Sequence, residues 1–331
     1  MEKEAMYYKQ LKDKIVQCQL CPNFCTIKEG MVGSCRVRKN IKGKLYAMTY
    51  GKAISTAIEP IEKKPFFHFH PGARAYSIAT VGCNLHCLFC QNWEISQASY
   101  DELPTKKKSP EEAVEEAIAN DSRIIAYTYT EPTIFYEYVL DMAKLAKKRG
   151  LLNVTITNGF INPEPLKELY KYIDAANIDL KGFTEEYYKE VCGGRLKPVL
   201  DAIVNIKKMG VFVEITNLIV TGKNDGNIIE MCKWIKDNVG ESCPLHFSRF
   251  FPIYKLSALE PTPVETLRKA YDTAKAVGLK YVYMGNVGDE ESTYCPKCNA
   301  LLVKRLGFSV IENKIKNHCC YNCKEKIEGA W

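Results

Sequence analysis

The chain has 331 residues, 46% apolar and 26% charged, with 15 cysteines and a formal net charge of +7. That much apolar residue in that length can bury a full core, which excludes a disordered chain, a collagen and a small disulfide scaffold. The cysteines are too many and too clustered for an ordinary enzyme of this size.

The opening Met1-Glu2-Lys3-Glu4 has no apolar run and no small-residue cleavage site, so the expectation is a cytoplasmic protein without a secretory signal. Thiols stay reduced there, and clustered cysteines read as metal ligands before disulfides. Cys18, Cys21, Cys25 and Cys35 come first, spaced C-x2-C-x3-C-x9-C. Four thiolates make a complete site, and residues 1–73 read as a metal-binding extension. Structural zinc and an auxiliary iron–sulfur cluster both fit the spacing. Zinc is preferred, since no other feature demands a second redox centre. In Phe66-Phe67-His68-Phe69-His70-Pro71-Gly72, alternation sets the histidines on one face and Phe67 and Phe69 on the other. A connector packed on the next domain is expected there rather than a metal pair.

From Arg74, short β-branched or aromatic runs alternate with helical patterns. Strands are expected at 74–81, 124–129, 153–157, 175–180, 211–219, 245–249 and 280–284. Helices are expected from Ser109-Pro110, after Pro132, near Pro163, at 184–191 and 196–209, at 226–239 and from Thr262-Pro263. Ser109 followed by Pro110, Glu111 and Glu112 is an N-cap with acids at the positive helix end. Six strand–helix units predict an α/β fold with a parallel sheet, and no Gly-x-Gly-x-x-Gly follows the first strand. A partial (β/α)6 TIM-like barrel over 74–290 is preferred to a doubly wound sheet. Function then belongs at the C-terminal strand ends. The uncharged run 75–93 is long enough to raise the question of a membrane span. It holds Thr80, Asn84, His86, Gln91, Asn92 and three cysteines, so no span is expected.

Strand one ends in Cys83, Cys87 and Cys90, spaced C-x3-C-x2-C in one loop. A structural zinc site takes four closed ligands. Three thiolates suit an iron–sulfur cube with one iron free of protein. His86 is read as loop packing. Cys192, Cys232 and Cys243 stand alone and read as buried small hydrophobes. At residues 291–331, Cys295-x2-Cys298 and Cys320-x2-Cys323 predict a four-thiolate zinc ribbon, with Cys319 the substitute if Cys320 is not used. The two cysteine-rich flanks carry the positive charge: +7 over 1–73 and +4 over 295–331, against −4 between them. Lys314, Lys316, Lys324 and Lys326 of the ribbon offer a surface for a partner or RNA.

Cys83, Cys87 and Cys90 match the signature of the radical S-adenosylmethionine (SAM) superfamily, which the sequence resembles at this place in the fold. Later segments resemble the branch containing the pyruvate formate-lyase activating enzymes. Tyr129-Thr130-Glu131-Pro132 stands where that branch has a Gly-Gly-Glu-type segment, here without the glycine pair. Thr157-Asn158-Gly159-Phe160 and Asp179-Leu180-Lys181 are similar to segments lining its SAM pocket. The N-terminal cysteines, Gly33-Ser34-Cys35-Arg36-Val37-Arg38, His246 to Pro252, Tyr283-Met284-Gly285-Asn286 and the final Cys-x2-Cys are together similar to the AmmeMemoRadiSam system radical SAM enzymes, over nearly the whole chain.

The resemblance implies a 4Fe-4S cluster on Cys83, Cys87 and Cys90, and reductive cleavage of SAM to a 5′-deoxyadenosyl radical that abstracts hydrogen. It implies roles for Glu131 and the backbone of Tyr129 and Thr130 at the methionine end. By charge and family position, Asp179 and Lys181 are partners for the SAM ammonium and carboxylate, and Thr157 and Asn158 face the ribose. Arg249 contacts SAM or an anionic substrate, or pairs structurally. No catalytic residue is assigned. An electron donor is required, and the family name implies Memo-type or Ammecr-type partners. Three functions are carried forward: a radical enzyme acting on a partner protein, one acting on RNA or a small metabolite, and a non-catalytic metal- or RNA-binding module.

Overall fold

The computed structural model describes residues 3–288 and 291–331. Met1 and Glu2 of the opening segment lie outside the described residues, as does the boundary expected at 290.

The centre of the molecule is one eight-stranded sheet: β1 (Ser55–Pro60), β2 (Arg74–Ala79), β3 (Ile124–Tyr127), β4 (Leu152–Thr157), β5 (Ala175–Asp179), β6 (Phe212–Ile219), β7 (Leu245–Arg249) and β8 (Val282–Gly285). Their spatial order follows the chain from β1 to β8 without reversal. A doubly wound sheet reverses its order at a switch point, so this one is a partial barrel wall. β2 to β8 pair in parallel, and β1 pairs antiparallel along β2 from Ser55↔Ala79 to Pro60↔Arg74. β1 comes from the stretch assigned to the N-terminal extension, so the sheet begins before the expected boundary at 73.

Between the strands run α1 (Pro110–Ala119), α2 (Tyr136–Lys148), α3 (Pro163–Leu169), α4 (Leu196–Lys208), α5 (Ile228–Asn238) and α6 (Val264–Val277). Ser109 Oγ accepts from Glu112 N at 3.1 Å and Glu112 Oε2 accepts from Ser109 N at 2.6 Å, a reciprocal cap on α1.

Alternation along the strands separates two cores. Tyr76, Ile78, Ile125, Tyr127, Ala176, Ile178, Val213 and Ile215 join the helices. Ala75, Ile124, Ala126, Val154 and Ala175 face inward and pack on Ile61, Phe66 and Phe69. The connector thus stoppers the N-terminal end of the barrel. It is not an extended strand: Phe66 and Phe69 enter the barrel floor while Phe67 joins the C-terminal core. The expected two-faced alternation fails because the chain bends at 67, 68 and 70, which sends Phe67 and Phe69 to different cores. Under this floor, buried Glu214 accepts Phe67 N at 3.0 Å, His68 N at 2.8 Å and His246 Nε2 at 2.6 Å.

The extension folds into two small antiparallel sheets. Arg38 anchors it: Nη1 and Nη2 donate to Glu137 of α2 at 3.0 and 2.9 Å, both side chains being 1% exposed. The C-terminal unit carries β9 (Leu301–Leu306) and β10 (Ser309–Asn313). Its buried Arg305 donates to Phe67 O at 2.6 Å and Thr293 Oγ1 at 2.8 Å. This unit therefore sits on the stoppered end of the barrel. No helix among the described residues is long and apolar enough to cross a membrane.

Candidate active site

The loop after β2 carries Cys83, Cys87 and Cys90 to the C-terminal strand ends, as the spacing implied. Gly82 opens it at φ +94°, and a Cβ there would meet Cys35 O and Val37 Cγ1 at 2.6 Å. Only glycine fits both the left-handed turn and that close approach. His86 N donates to Cys192 O at 2.8 Å and Leu88 N to Val191 O at 2.9 Å, fixing the loop against the segment before α4. His86 Nε2 meets Ser34 Oγ and Nδ1 meets Gln97 Oε1, each at 2.8 Å, so both ring nitrogens serve loop packing.

The three thiols differ in environment. Burial pushes Cys83 far up and Cys90 up. Hydrogen bonding with Cys192 and the Lys181 ammonium pull Cys87 down against its burial. Cys90 Sγ lies 3.1 Å from Ser96 Oγ. Cys192, read as a plain hydrophobe, is buried but borders the site, its carbonyl within 4.0 Å of Cys87 Sγ. Nothing in its sequence surroundings signalled this; an isolated cysteine gives no spacing.

The structure places the residues expected in the SAM pocket around this loop, with several of their side chains bonded within the protein. Glu131 is fully buried. Its Oε1 accepts Thr133 N, Thr133 Oγ1 and Thr157 Oγ1 at 2.9, 2.6 and 2.8 Å, and its Oε2 accepts Asn158 N at 2.8 Å. Asn158 Nδ2 donates to Asn84 Oδ1 at 2.9 Å and its Oδ1 accepts Phe160 N at 2.8 Å. Glu131, Thr157 and Asn158 therefore latch β3, β4 and the cysteine loop together. Their polar atoms are engaged inside the protein, where methionine-end or ribose contacts had been expected. Asn84, inside the cysteine motif, is the latch residue that sequence reading missed.

Tyr129 sits at φ +64° where the family segment has glycine. A non-glycine residue there stores strain of about 1 kcal/mol. Asn92 Nδ2 donates to its carbonyl at 2.7 Å, and Thr130 Oγ1 donates to Thr80 O at 2.8 Å. The Tyr129 hydroxyl donates to Glu59, and the Lys64 ammonium, itself paired with Glu59, lies 4.6 Å from the ring. Lys63, Lys64 and Tyr129 hold the Glu59 carboxyl down to about 2 despite the upward push of burial. Neither Glu59 in β1 nor Lys64 after it was anticipated, because both precede the strand–helix repeat.

Asp179 and Lys181 face the loop from the end of β5, with Lys181 Nζ 3.0 Å from Asp179 Oδ2. Burial lowers the Lys181 ammonium, but Asp179, Cys87 and Cys192 outweigh it and hold it well above its ordinary value. Asp179 remains 34% exposed and Lys181 15%, so the pair is open to a ligand. Arg249 Nε donates to Thr262 O at 2.7 Å, and its guanidinium lies 5.0 Å from the Phe251 ring. At the rim, exposed Trp93 stacks on Tyr254 at 5.1 Å and Phe251 is 48% exposed.

The metal-ligand chemistry divides in two. In the C-terminal unit, Cys295 and Cys323 sulfurs lie 3.6 Å apart and Cys298 and Cys320 sulfurs 3.7 Å apart. Tetrahedral zinc, with Zn–S of about 2.3 Å, separates its sulfurs by about 3.8 Å. Cys320 and not Cys319 is in the group, as the spacing favoured. Among the described residues, these four are the group whose donor atoms all fall within 4.8 Å of one another. Cys83, Cys87 and Cys90 do not draw together in that way. Cys87 is buried and Cys83 and Cys90 are half-buried, and three thiols on one loop suit an iron–sulfur cube with one iron free of protein. All fifteen cysteines are free of disulfides.

A model of the radical SAM superfamily matches residues 77–235. The chain is 50% identical over 332 residues to the uncharacterized protein MJ0808 of Methanocaldococcus jannaschii, covering 98% of this chain and 99% of that one. It is 25% identical to GTP 3′,8-cyclase of Limosilactobacillus fermentum over 68% of this chain and 74% of that one. It is likewise 25% identical to the pyruvate formate-lyase-activating enzyme of Staphylococcus epidermidis, over 61% of this chain and 88% of that one. The cysteine loop after the first parallel strand of a partial barrel and these likenesses agree: the chain belongs to the radical SAM superfamily.

Proposed function

We propose that this chain is a radical SAM enzyme whose substrate is a partner protein. The observation that carries the reading is the loop of Cys83, Cys87 and Cys90, held opposite the open Asp179–Lys181 pair. The three cysteines hold the cluster. When bound, it supplies the single electron that splits SAM into methionine and a hydrogen-abstracting 5′-deoxyadenosyl radical.

The protein's own residues bind and orient. Asp179 offers an acceptor to the SAM ammonium and Lys181 a donor to its carboxylate. Glu131, Thr157 and Asn158 act one step back, as positioning residues that fix the strand ends. Cys295, Cys298, Cys320 and Cys323 hold zinc as a structural centre. The domain reading that goes with this is an N-terminal metal-binding extension, a partial barrel and a zinc ribbon.

A protein substrate is favoured over a metabolite by exposed Trp93 and Phe251 at the rim, with half-buried Tyr254 stacked on Trp93, since apolar groups exposed around a site mark protein contact. The likeness to an activating enzyme points the same way, and that to GTP 3′,8-cyclase keeps a small metabolite as the second reading. RNA is less favoured: the ribbon that carries Lys314, Lys316, Lys324 and Lys326 packs on the stoppered end of the barrel, away from the cysteine loop.

The test is SAM turnover in anaerobic extract grown on deuterated medium, split by size and by nuclease or protease treatment. Memo-type and Ammecr-type proteins are the first purified candidates. Deuterium entering 5′-deoxyadenosine from a protease-sensitive macromolecular fraction is the expected result. Transfer only from the small-molecule fraction would replace the protein substrate with a metabolite.

A further inference from the structure

We propose that Cys18, Cys21, Cys25 and Cys35 hold a second iron–sulfur cluster, abutting the loop of the first. The inference rests on the reading of Cys83, Cys87 and Cys90 given above, and extends it to a separate set of ligands.

Three observations carry it. The first is size. The ribbon thiols have closed to zinc spacing, but the N-terminal four are not among the groups whose sulfurs all lie within 4.8 Å. Among the described residues the N-terminal thiols thus lack the ribbon's single-ion spacing, which leaves room for a cluster.

The second is a cavity built for an anion. The four cysteines line a small, partly enclosed space together with Leu20, Asn23, Ile27, Gly33 and Ile134. Arg38 also lines it, is 1% exposed, and its Nε has no hydrogen-bond partner. Leaving a buried guanidinium N–H unpaired is costly. A cluster held by four thiolates is anionic and accepts N–H···S bonds, which also tune its potential. Ser34 N already donates to Cys25 Sγ at 3.4 Å.

The third is contiguity. Asn23 Nδ2, between Cys21 and Cys25, donates to Asn84 O at 2.9 Å. Ser34 Oγ meets His86 Nε2 at 2.8 Å. The carbonyl of Cys35 forms the wall that requires glycine at position 82. Both neighbours of Cys83 therefore touch the N-terminal site.

The experiment counts metal. Anaerobically reconstituted protein is compared with Cys83→Ala/Cys87→Ala/Cys90→Ala and with Cys18→Ala/Cys35→Ala, reading iron, sulfide, zinc and the electron paramagnetic resonance of the reduced protein. With four irons per cubane, about eight irons are expected in the parent. About four irons and a reduced-cluster signal should remain in the loop variant, which leaves every N-terminal ligand in place. The Cys18→Ala/Cys35→Ala protein should also keep about four irons, with zinc unchanged. The proposal is overturned if the loop variant keeps no iron, or if Cys18→Ala/Cys35→Ala loses zinc and no iron. Iron that stays at the parent's level after the loop substitutions contradicts the reading of the loop, while still placing iron at the N-terminal group.

Discussion

Glu131 accepts the backbone N–H of Asn158 at 2.8 Å, joining the end of β3 to the end of β4 beneath the cysteine loop. The carboxylate takes three further bonds from Thr133 and Thr157, so it acts as a latch. Glu131→Ala orphans several buried donors, each worth about 1–3 kcal/mol. A loss on the order of 3 kcal/mol is expected in denaturant unfolding at matched metal content. An unchanged midpoint would show that the latch carries no weight.

Lys181 offers a different test, because it is both paired and open. If it binds the SAM carboxylate, Lys181→Ala removes a charge-assisted bond of about 1.5–3 kcal/mol, a weakening of about 10- to 100-fold. Calorimetric titration of SAM into the reconstituted protein reads this directly. Affinity equal to the parent's, with a lowered melting temperature, would make Asp179–Lys181 a structural ion pair instead.

Gly82 sets the cysteine loop directly against Cys35 and Val37 beside the N-terminal thiol group. Gly82→Ala forces a Cβ into Cys35 O and holds a left-handed turn at the same residue. We expect iron content to fall in this variant, with helix content by circular dichroism unchanged. Full iron loading would mean that the loop adjusts without cost.

Two carboxyls, buried Glu214 and half-buried Glu291, shape stability against pH in opposite ways. Glu214 is held below its ordinary value: burial pushes it up, but His246, His68 and the Phe67 N–H outweigh that. Its contribution is complete above the unfolded carboxyl value and is lost as pH falls through the folded one. Burial raises Glu291 to about 7, with Arg305 pulling the other way. The folded chain then keeps a proton that the unfolded chain releases above its ordinary 4.5, so stability falls as pH rises from about 4.5 to 7. Glu291→Gln should flatten the melting temperature between pH 5 and pH 8, about the window of that shift, and raise it at the upper end. A slope identical to the parent's would contradict this.

The barrel was legible because its strands and helices repeat with clean periods, and the β-branched runs at 152–157 and 212–219 carry their own boundaries. The ribbon's Cys320 over Cys319, and the place of the Cys83, Cys87 and Cys90 loop after the first parallel strand, were legible because ligand spacing is local. What escaped was non-local. Arg38 meets Glu137 across 99 residues, and β1 joins the sheet without any helix to announce it. Glu131, Thr157 and Asn158 could be placed near the site by family position, but only the folded chain shows their side chains turned onto one another. The turn at Tyr129 was also hidden, since tyrosine gives no sign of a left-handed backbone.

The central claim is that the loop of Cys83, Cys87 and Cys90 supports reductive cleavage of SAM. The most direct measurement is 5′-deoxyadenosine formed by the anaerobically reconstituted protein with SAM and dithionite, by mass spectrometry, beside Cys87→Ala. The expected result is product from the parent and none above background from the variant. Equal product from both, or none from a fully loaded parent even with cell extract supplied, would contradict it.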